Sequence, residues 1–257
     1  MIKELWKAPL SIWKYFLILT VRFYLNILFF LGSTLDRLFY PSPKRKIESP
    51  VFILGHPRSG TTFLHRYLMD SINELDGILL WQLMFPFISL RKIFKPFIKN
   101  IDKHLSSQLY NPVIHKTGLL KGETDDIALF FKSFDGLFFW LYFKAFKEYI
   151  STSLLKQDLI NASKLDKMIE HIDVIYMKSL SLSENKKNRM LSKSFSLILN
   201  IDLILKKFPD AKIIILIRDP LETIPSSMSL ANSILQKIYN LKTIKKDVLD
   251  QYWSNPL

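Results

Sequence analysis

Val51-Phe52-Ile53-Leu54-Gly55-His56-Pro57-Arg58-Ser59-Gly60-Thr61-Thr62 is the stretch that decides the fold. Its first four residues are a short apolar run, the pattern of a strand buried on both faces. A turn bounded by two glycines follows, and then a helix from about Gly60 to Asp70. By physical logic this is a phosphate-binding loop. Gly55 and Gly60 permit the tight backbone, and successive N–H groups and the helix N-terminus point at an anion. Thr61 and Thr62 add hydroxyl donors, and Arg58 adds a fixed positive charge. The glycine spacing matches the nucleotide triphosphatase pattern GxxxxGK[ST]. The lysine does not match, because Thr61 stands there and the cation has moved inside the loop to Arg58. That argues against ordinary ATP or GTP hydrolysis.

A second stretch lies 160 residues further on. Ile213-Ile214-Ile215-Leu216-Ile217-Arg218-Asp219-Pro220 puts Arg218 at the C-terminal end of a strand, where open parallel sheets bind ligands. The strand is read as Lys212 to Ile217, buried. Asp219-Pro220 has the form of a helix start, with Asp as N-cap and Pro in the first turn. Ser226 then falls on the following helix, where it can share an anion with Arg218; alone it would be an ordinary helix-surface serine. Met190-Leu191 is a further short strand. Residues 85–107, 124–150 and 198–208 read as helices. Leu165, Met168, Ile169, Ile172, Ile175, Tyr176 and Leu180 recur at helical spacing as core contacts. Strands separated by helices imply a central parallel sheet, in a helix-rich, three-layer α/β/α fold of the P-loop kind.

The composition sets limits on function. The chain of 257 residues is 49% apolar and 14% aromatic, so it is not a disordered polyelectrolyte. It has no cysteine, hence no disulfide, thiolate metal site or cysteine nucleophile. Its five histidines are scattered and form no HExxH, which argues against zinc. A net charge of +13 points to anionic partners. The first forty residues stand apart. From Leu10 to Leu31 the chain is mostly apolar, interrupted by Lys14, Arg22 and Asn26. On a helical wheel Ser11, Lys14, Arg22, Asn26, Ser33, Asp36 and Arg37 fall on one side and most bulky residues lie away from it. An amphipathic helix in a membrane interface fits better than a spanning one, which would hold Arg22 near mid-membrane. The alternative is a helix packed on the body of the protein. The expected organisation is this helix over 1–40, a basic linker over 41–49 containing Lys44-Arg45-Lys46, and the main domain over 50–257.

The motifs resemble those of a known family. Pro57-Arg58-Ser59-Gly60-Thr61-Thr62, with Arg218-Asp219-Pro220 and Ser226, resembles the two cofactor motifs of sulfotransferases. Phe208-Pro209-Asp210-Ala211-Lys212 looks most like the bacterial and Golgi-type branch. The resemblance runs from about residue 50 to 230. It implies that Pro57, Arg58, Ser59, Gly60, Thr61 and Thr62 bind the 5′-phosphosulfate of 3′-phosphoadenosine 5′-phosphosulfate (PAPS). It further implies that Arg218 and Ser226 bind the 3′-phosphate, and that no metal is required. Leu191-Ser192-Lys193-Ser194 is similar to the family's Leu-Lys-Ser-Pro strand end, with Phe195 in place of the Pro. By that resemblance Lys193 lies against the leaving-group oxygen, where a cation neutralises charge as the S–O bond breaks; otherwise it is a surface lysine.

The chain departs from the family at the base that takes the proton of the acceptor hydroxyl. In this branch a Glu, often after Trp, supplies it; here Trp81 is followed by Gln82. Glu123, in Gly122-Glu123-Thr124-Asp125-Asp126, is the next candidate, in a segment similar to an acidic cluster of the family. Asp125 and Asp126 are alternatives, although Thr124, Asp125 and Asp126 at a helix start also fit capping. His56 and His65 flank the loop and are weaker candidates. The chain ends 31 residues past Ser226, where relatives continue with a nucleotide-covering loop, so it is either a compact variant or a fragment. The resulting expectation is a PAPS-dependent sulfotransferase with Lys193 and Glu123 as catalytic residues and a carbohydrate or lipid-like alcohol as acceptor. Peripheral membrane contact is expected through residues 10–38, on the cytoplasmic face, with a Golgi-type lumenal placement as the alternative. Nucleic acid is not needed to explain the charge. The rivals are a P-loop kinase or nucleotide hydrolase, and a membrane-associated nucleotide-binding protein that lost its base at position 82.

Overall fold

The structure is a computed structural model that describes residues 11–40, 46–109, 117–133, 138, 162–182, 189–239, 246–247 and 250. In chain order the elements are α1 (Ile12–Phe39), β1 (Val51–Gly55), α2 (Thr61–Ser71), β2 (Leu75–Gly77), α3 (Leu80–Met84), α4 (Ile88–Leu109), α5 (Asp126–Ser133), α6 (Ala162–Leu182), β3 (Arg189–Ser194), α7 (Ile201–Lys207), β4 (Lys212–Leu216) and α8 (Pro220–Tyr239). A 3-10 turn over Ser196–Leu199 links β3 to α7.

Among the described residues four strands form a parallel sheet, in the order β2-β3-β1-β4. Alternation along β1 distributes its side chains to two layers. Val51 and Ile53, with Leu75 and Leu191, pack under Leu64, Leu68 and Met69 of α2. Phe52 and Leu54, with Met190, pack on the other face against Met168, Ile172, Ile175, Tyr176 and Leu180 of α6 and Ile204 of α7. This is the expected three-layer arrangement, and Met168, Ile169, Ile172, Ile175, Tyr176 and Leu180 lie in its core, as their spacing implied.

Several elements differ from the sequence reading. The 198–208 helix is broken, because Asn200 (φ −139°, ψ 44°) separates the 3-10 turn from α7. Strand β2 and helix α3 were not anticipated: Leu-Asp-Gly is too short to show alternation. Strand β4 was expected to be buried, but among the described residues it is the sheet edge, and Ile215 is about half exposed. The helix expected over 124–150 is described over Asp126–Ser133, and most of its remainder lies outside the described residues.

Helix α1 docks by its polar stripe. Lys14 Nζ donates to Ile238 O of α8. Arg22 Nη1 and Nη2 donate to Phe131 O and Lys132 O at the end of α5, at 2.7 and 2.6 Å. The Asp36 carboxylate accepts from Ile88 N (3.0 Å), Ser89 N (2.9 Å) and Lys178 Nζ (2.8 Å). It thereby caps α4 in trans, satisfying N–H groups that a helix start leaves without acceptors. A helix packed on a protein body ordinarily buries its apolar side. Here Trp13, Phe16, Leu17, Phe23, Tyr24, Phe30, Leu31, Leu38 and Phe39 remain exposed instead. Asn26 and Arg37, which the wheel placed in the stripe, are exposed too. By length and composition α1 is also apolar enough to cross a membrane.

Candidate active site

The turn from Gly55 to Thr61 is wound tightly. A Cβ at Gly55 would come within 2.9 Å of Ser59 Oγ, Leu216 O and Thr61 Cγ2, so no side chain fits there. Gly60 is left-handed at φ 95°. Arg58 is left-handed as well, at φ 73°, a conformation that costs a non-glycine residue roughly 1–2 kcal/mol. Left-handed residues in a turn are how backbone N–H groups are gathered into an anion-binding concavity. Ser59 closes the turn, its N and Oγ both donating to His56 O at 3.1 and 2.7 Å. The first turn of α2 then presents N–H groups without intrahelical acceptors.

The second predicted motif meets this loop. Arg58 Nε donates to Ser226 Oγ at 2.9 Å, and Arg218 Nη1 donates to Arg58 O at 3.2 Å. Ser227 Oγ donates to Pro57 O at 3.3 Å. Residues 57, 58, 218 and 226, distant in sequence, thus sit together where the strand ends of β1 and β4 lie side by side, Gly55 opposite Leu216. Ser226 contacts Arg58 rather than Arg218. Arg218 instead pairs with Glu222 at 2.7 Å, one turn into α8. The only signal of Glu222 in the sequence is its i,i+4 spacing from Arg218, the spacing of such a pair.

On the other side of the loop lies Lys193. Register places Ile53 opposite Lys193, so its side chain emerges on the α2 face of the sheet. It is buried, donates to Thr62 Oγ1 at 2.9 Å and lies 3.6 Å from Glu123 Oε2. It is not a surface lysine. Burial is the main influence on its pKa and lowers it, and the Glu123 carboxylate works in the opposite sense. Glu123 Oε1 accepts from Arg66 Nη2 and Thr117 Oγ1, both at 2.6 Å. Arg66 was not singled out from the sequence. It lies one helical turn past Thr62, and that spacing on α2 sets Thr62 against Lys193 and Arg66 against Glu123, the two partners of one ion pair. Gln82 does not take part: its Oε1 accepts from Leu79 N at 2.9 Å, capping α3.

The two aspartates do more than cap their own helix. Asp126 Oδ2 accepts from Phe195 N (2.7 Å) and Thr124 Oγ1 (2.6 Å), and Oδ1 from Ser196 N and Ser194 Oγ (both 3.2 Å). It therefore caps the 3-10 turn after β3. Asp125 N donates to Lys193 O at 2.8 Å, while its carboxyl group accepts from Ser192 Oγ and Tyr176 OH on the opposite face of β3. Burial pushes the Asp125 pKa up to about 7. The segment 124–126 is thus a clamp that fixes the backbone carrying Lys193. Of the two histidines, His56 is exposed and bonded within the loop, its Nδ1 2.8 Å from Pro57 O. His65 is buried, with Nε2 3.2 Å from Leu191 O, and burial with the nearby Lys193 charge lowers its pKa to about 3, which keeps it neutral.

Comparison with known proteins agrees with this geometry. The structure is similar to that of the sulfotransferase STF1 from Mycobacterium tuberculosis H37Rv, with a TM-score of 0.62 at 20% identity over 96% of this chain and 67% of that one. It is also similar to the sulfotransferase STF9 from Mycobacterium avium, with a TM-score of 0.61 at 19% identity over 86% of this chain and 56% of that one. At such identities the likeness establishes a shared fold. The chain spans about two thirds of the first protein and little more than half of the second. No protein of curated function matches the sequence. The family model described as "Sulfotransferase family" does match, over residues 50–255, and on that match the chain belongs to the sulfotransferase family.

Proposed function

We propose that the protein transfers the sulfuryl group of PAPS to the hydroxyl of a carbohydrate or lipid-like alcohol, with residues 10–38 in peripheral contact with a membrane. The observation that carries this reading is the position of Lys193. It is a buried cation hydrogen-bonded to Thr62 of the phosphate loop on one side and facing the Glu123 carboxylate on the other. A cation fixed between an anion-binding loop and a carboxylate suits a reaction in which a charged leaving group departs as a hydroxyl loses its proton.

PAPS supplies an activated sulfuryl group on a phosphate leaving group. In this proposal the loop from Pro57 to Thr62 holds the phosphosulfate, with Arg58 adding charge, and Arg218 and Ser226 hold the 3′-phosphate. Lys193 and Arg58 stabilise the oxygen that leaves. Glu123 receives the acceptor proton, and Arg66 and Thr117 orient its carboxylate. The crowding at Gly55 and the left-handed Arg58 and Gly60 fit this use, because a turn so constrained serves backbone approach to an anion better than side-chain packing.

The test is transfer of labelled sulfate from PAPS to a panel of sugars and lipid alcohols, alongside equilibrium binding of PAPS and of ATP with and without magnesium. Transfer to at least one acceptor is expected. Tight ATP binding that requires magnesium would instead select the kinase or hydrolase reading. PAPS binding without transfer to any acceptor would select a binding protein.

A further inference from the structure

We infer that the membrane contact of this protein is monotopic and made by two helices, α1 and α4, and that its occupant is the surface of an anionic lipid bilayer. The inference deepens the peripheral-contact reading proposed above and rests on it.

The first observation is how α1 is held. Three of its four charged residues, Lys14, Arg22 and Asp36, are bonded to α8, α5, α4 and α6, so the helix cannot cross a bilayer without breaking those contacts. Its opposite face exposes Trp13 (81%), Phe16, Leu17, Phe23, Tyr24, Phe30 and Leu31. A row of aromatic and aliphatic side chains opposite three charged residues bonded to the protein body is the reverse of a water-facing surface.

The second observation is α4, which continues that surface. Phe29 of α1 meets Phe87 edge-on just before α4, with ring centroids 5.3 Å apart, and Lys92 Nζ donates to Tyr40 OH beyond the end of α1. One residue past that junction begins an exposed apolar row: Ile93 (53%), Phe97 (58%) and Ile101 (41%), at i, i+4 and i+8. The inner side of α4 is already occupied, by Leu90, Arg91 and Ile98. Alongside the exposed row runs a second one of Lys92, Lys95, Lys99 and Lys103, all exposed, with no acidic residue between Ile88 and Ile101. Lysines flanking an apolar row bury their alkyl stems and carry their ammonium groups to the headgroup level. Four lysines on one helix, followed after α1 by Lys44-Arg45-Lys46 in a chain of net charge +13, fit acidic headgroups by charge. A second copy of this chain would set those lysines against their own likeness.

The experiment is sedimentation of the full chain with vesicles of phosphatidylcholine alone and of phosphatidylcholine with phosphatidylglycerol. Three variants are compared: F16E/F23E on α1, I93E/F97E on α4, and K95E/K99E/K103E. All seven side chains are exposed, and circular dichroism and thermal melting check that each variant is folded. Binding is expected to be at least tenfold stronger to the anionic vesicles, to fall at least tenfold in both glutamate pairs, and to lose its anionic preference in the charge-reversed variant. Release of the bound protein by alkaline carbonate is also expected. If only the α1 pair weakens binding and the α4 variants bind as the wild type does, the two-helix surface is overturned while peripheral contact stands. If the wild type binds no vesicle, both are overturned, and self-association lost in the same variants would identify a second copy as the occupant. Retention through carbonate, with release only by detergent, would overturn the monotopic arrangement.

Discussion

Replacing Asp126 by asparagine tests whether the acidic clamp holds the strand end that carries Lys193. The carboxylate is buried and faces one backbone N–H and one hydroxyl on each oxygen: Phe195 N and Thr124 Oγ1 on Oδ2, Ser196 N and Ser194 Oγ on Oδ1. Whichever way the amide of an asparagine turns, its NH2 opposes a backbone N–H. One buried donor then lacks an acceptor, at a cost of ~1–3 kcal/mol. The bonds that survive lose their charge assistance, which is roughly half their strength. Against this, removing a buried charge recovers part of its desolvation penalty. The net loss expected is ~2–3 kcal/mol, a sizeable part of the ~5–15 kcal/mol that stabilises a typical domain. It should appear as a melting temperature lowered by ~4–12 °C, by calorimetry or circular dichroism. Because Asp126 touches only the backbone and hydroxyls behind Lys193, kcat should fall with KM for PAPS little changed. A melting temperature within about 2 °C of the wild type would refute the clamp, since it corresponds to less than half of the net loss expected.

The remaining expectations follow from the site. Asp125 has its pKa raised by burial to about 7, so between pH 4 and 7 the unfolded chain ionises there while the folded one keeps its proton. That contribution makes stability fall as pH rises across the window, by up to ~4 kcal/mol, and level off above it; Asp125→Asn should flatten the slope in melts from about pH 4.5 to 8, and equal slopes would contradict the assignment. Arg58→Ala and Arg218→Ala should each weaken PAPS binding about 10–100-fold in calorimetric titration, the loss of charge-assisted bonds. Unchanged affinity in either would remove that residue from the site. Glu222→Gln frees Arg218 from an exposed pair and should tighten binding of adenosine 3′,5′-bisphosphate by roughly 2–5-fold; weaker binding would show that Glu222 orients Arg218 for the phosphate. Glu123→Gln should lower transfer about 10²–10⁴-fold with PAPS affinity retained, and a fully active variant would eliminate Glu123 as the base.

Much of this was legible in the sequence because it depends on local backbone chemistry. Two glycines five residues apart after an apolar tetrad permit a tight turn through their own backbone freedom, and Asp219-Pro220 favours a helix start by equally local chemistry. Lys193 was legible only through the likeness of its strand end to the family's, and its burial was not foreseeable from a chain so rich in lysine. What stayed hidden depends on pairing across the fold. The Leu75–Gly77 strand exists because Arg189–Ser194 lies beside it. Asp126 reads as a helix cap until β3 brings Phe195 and Ser196 to it. Arg66 reads as an exposed helix residue until residues 117–123 lay Glu123 across α2. For α1 the wheel grouped Lys14, Arg22 and Asp36, which do face the body, with Asn26 and Arg37, which do not. The direction in which the stripe points depends on carbonyls of α5 and α8 more than 100 positions away.

The docking of α1 has a mechanical consequence. A free amphipathic helix chooses its own roll angle at an interface, and the medium decides which side chains face it. This helix is ~42 Å long and is fastened near its start by Lys14, near its middle by Arg22 and near its end by Asp36. Rotation about its own axis is blocked, so the outward row is set by the protein and not by its surroundings. Any torque felt along the helix is passed to the whole domain. Whatever plane the exposed row settles against therefore fixes the direction in which the loop from Gly55 to Thr62 opens, and so the side from which its substrates must arrive.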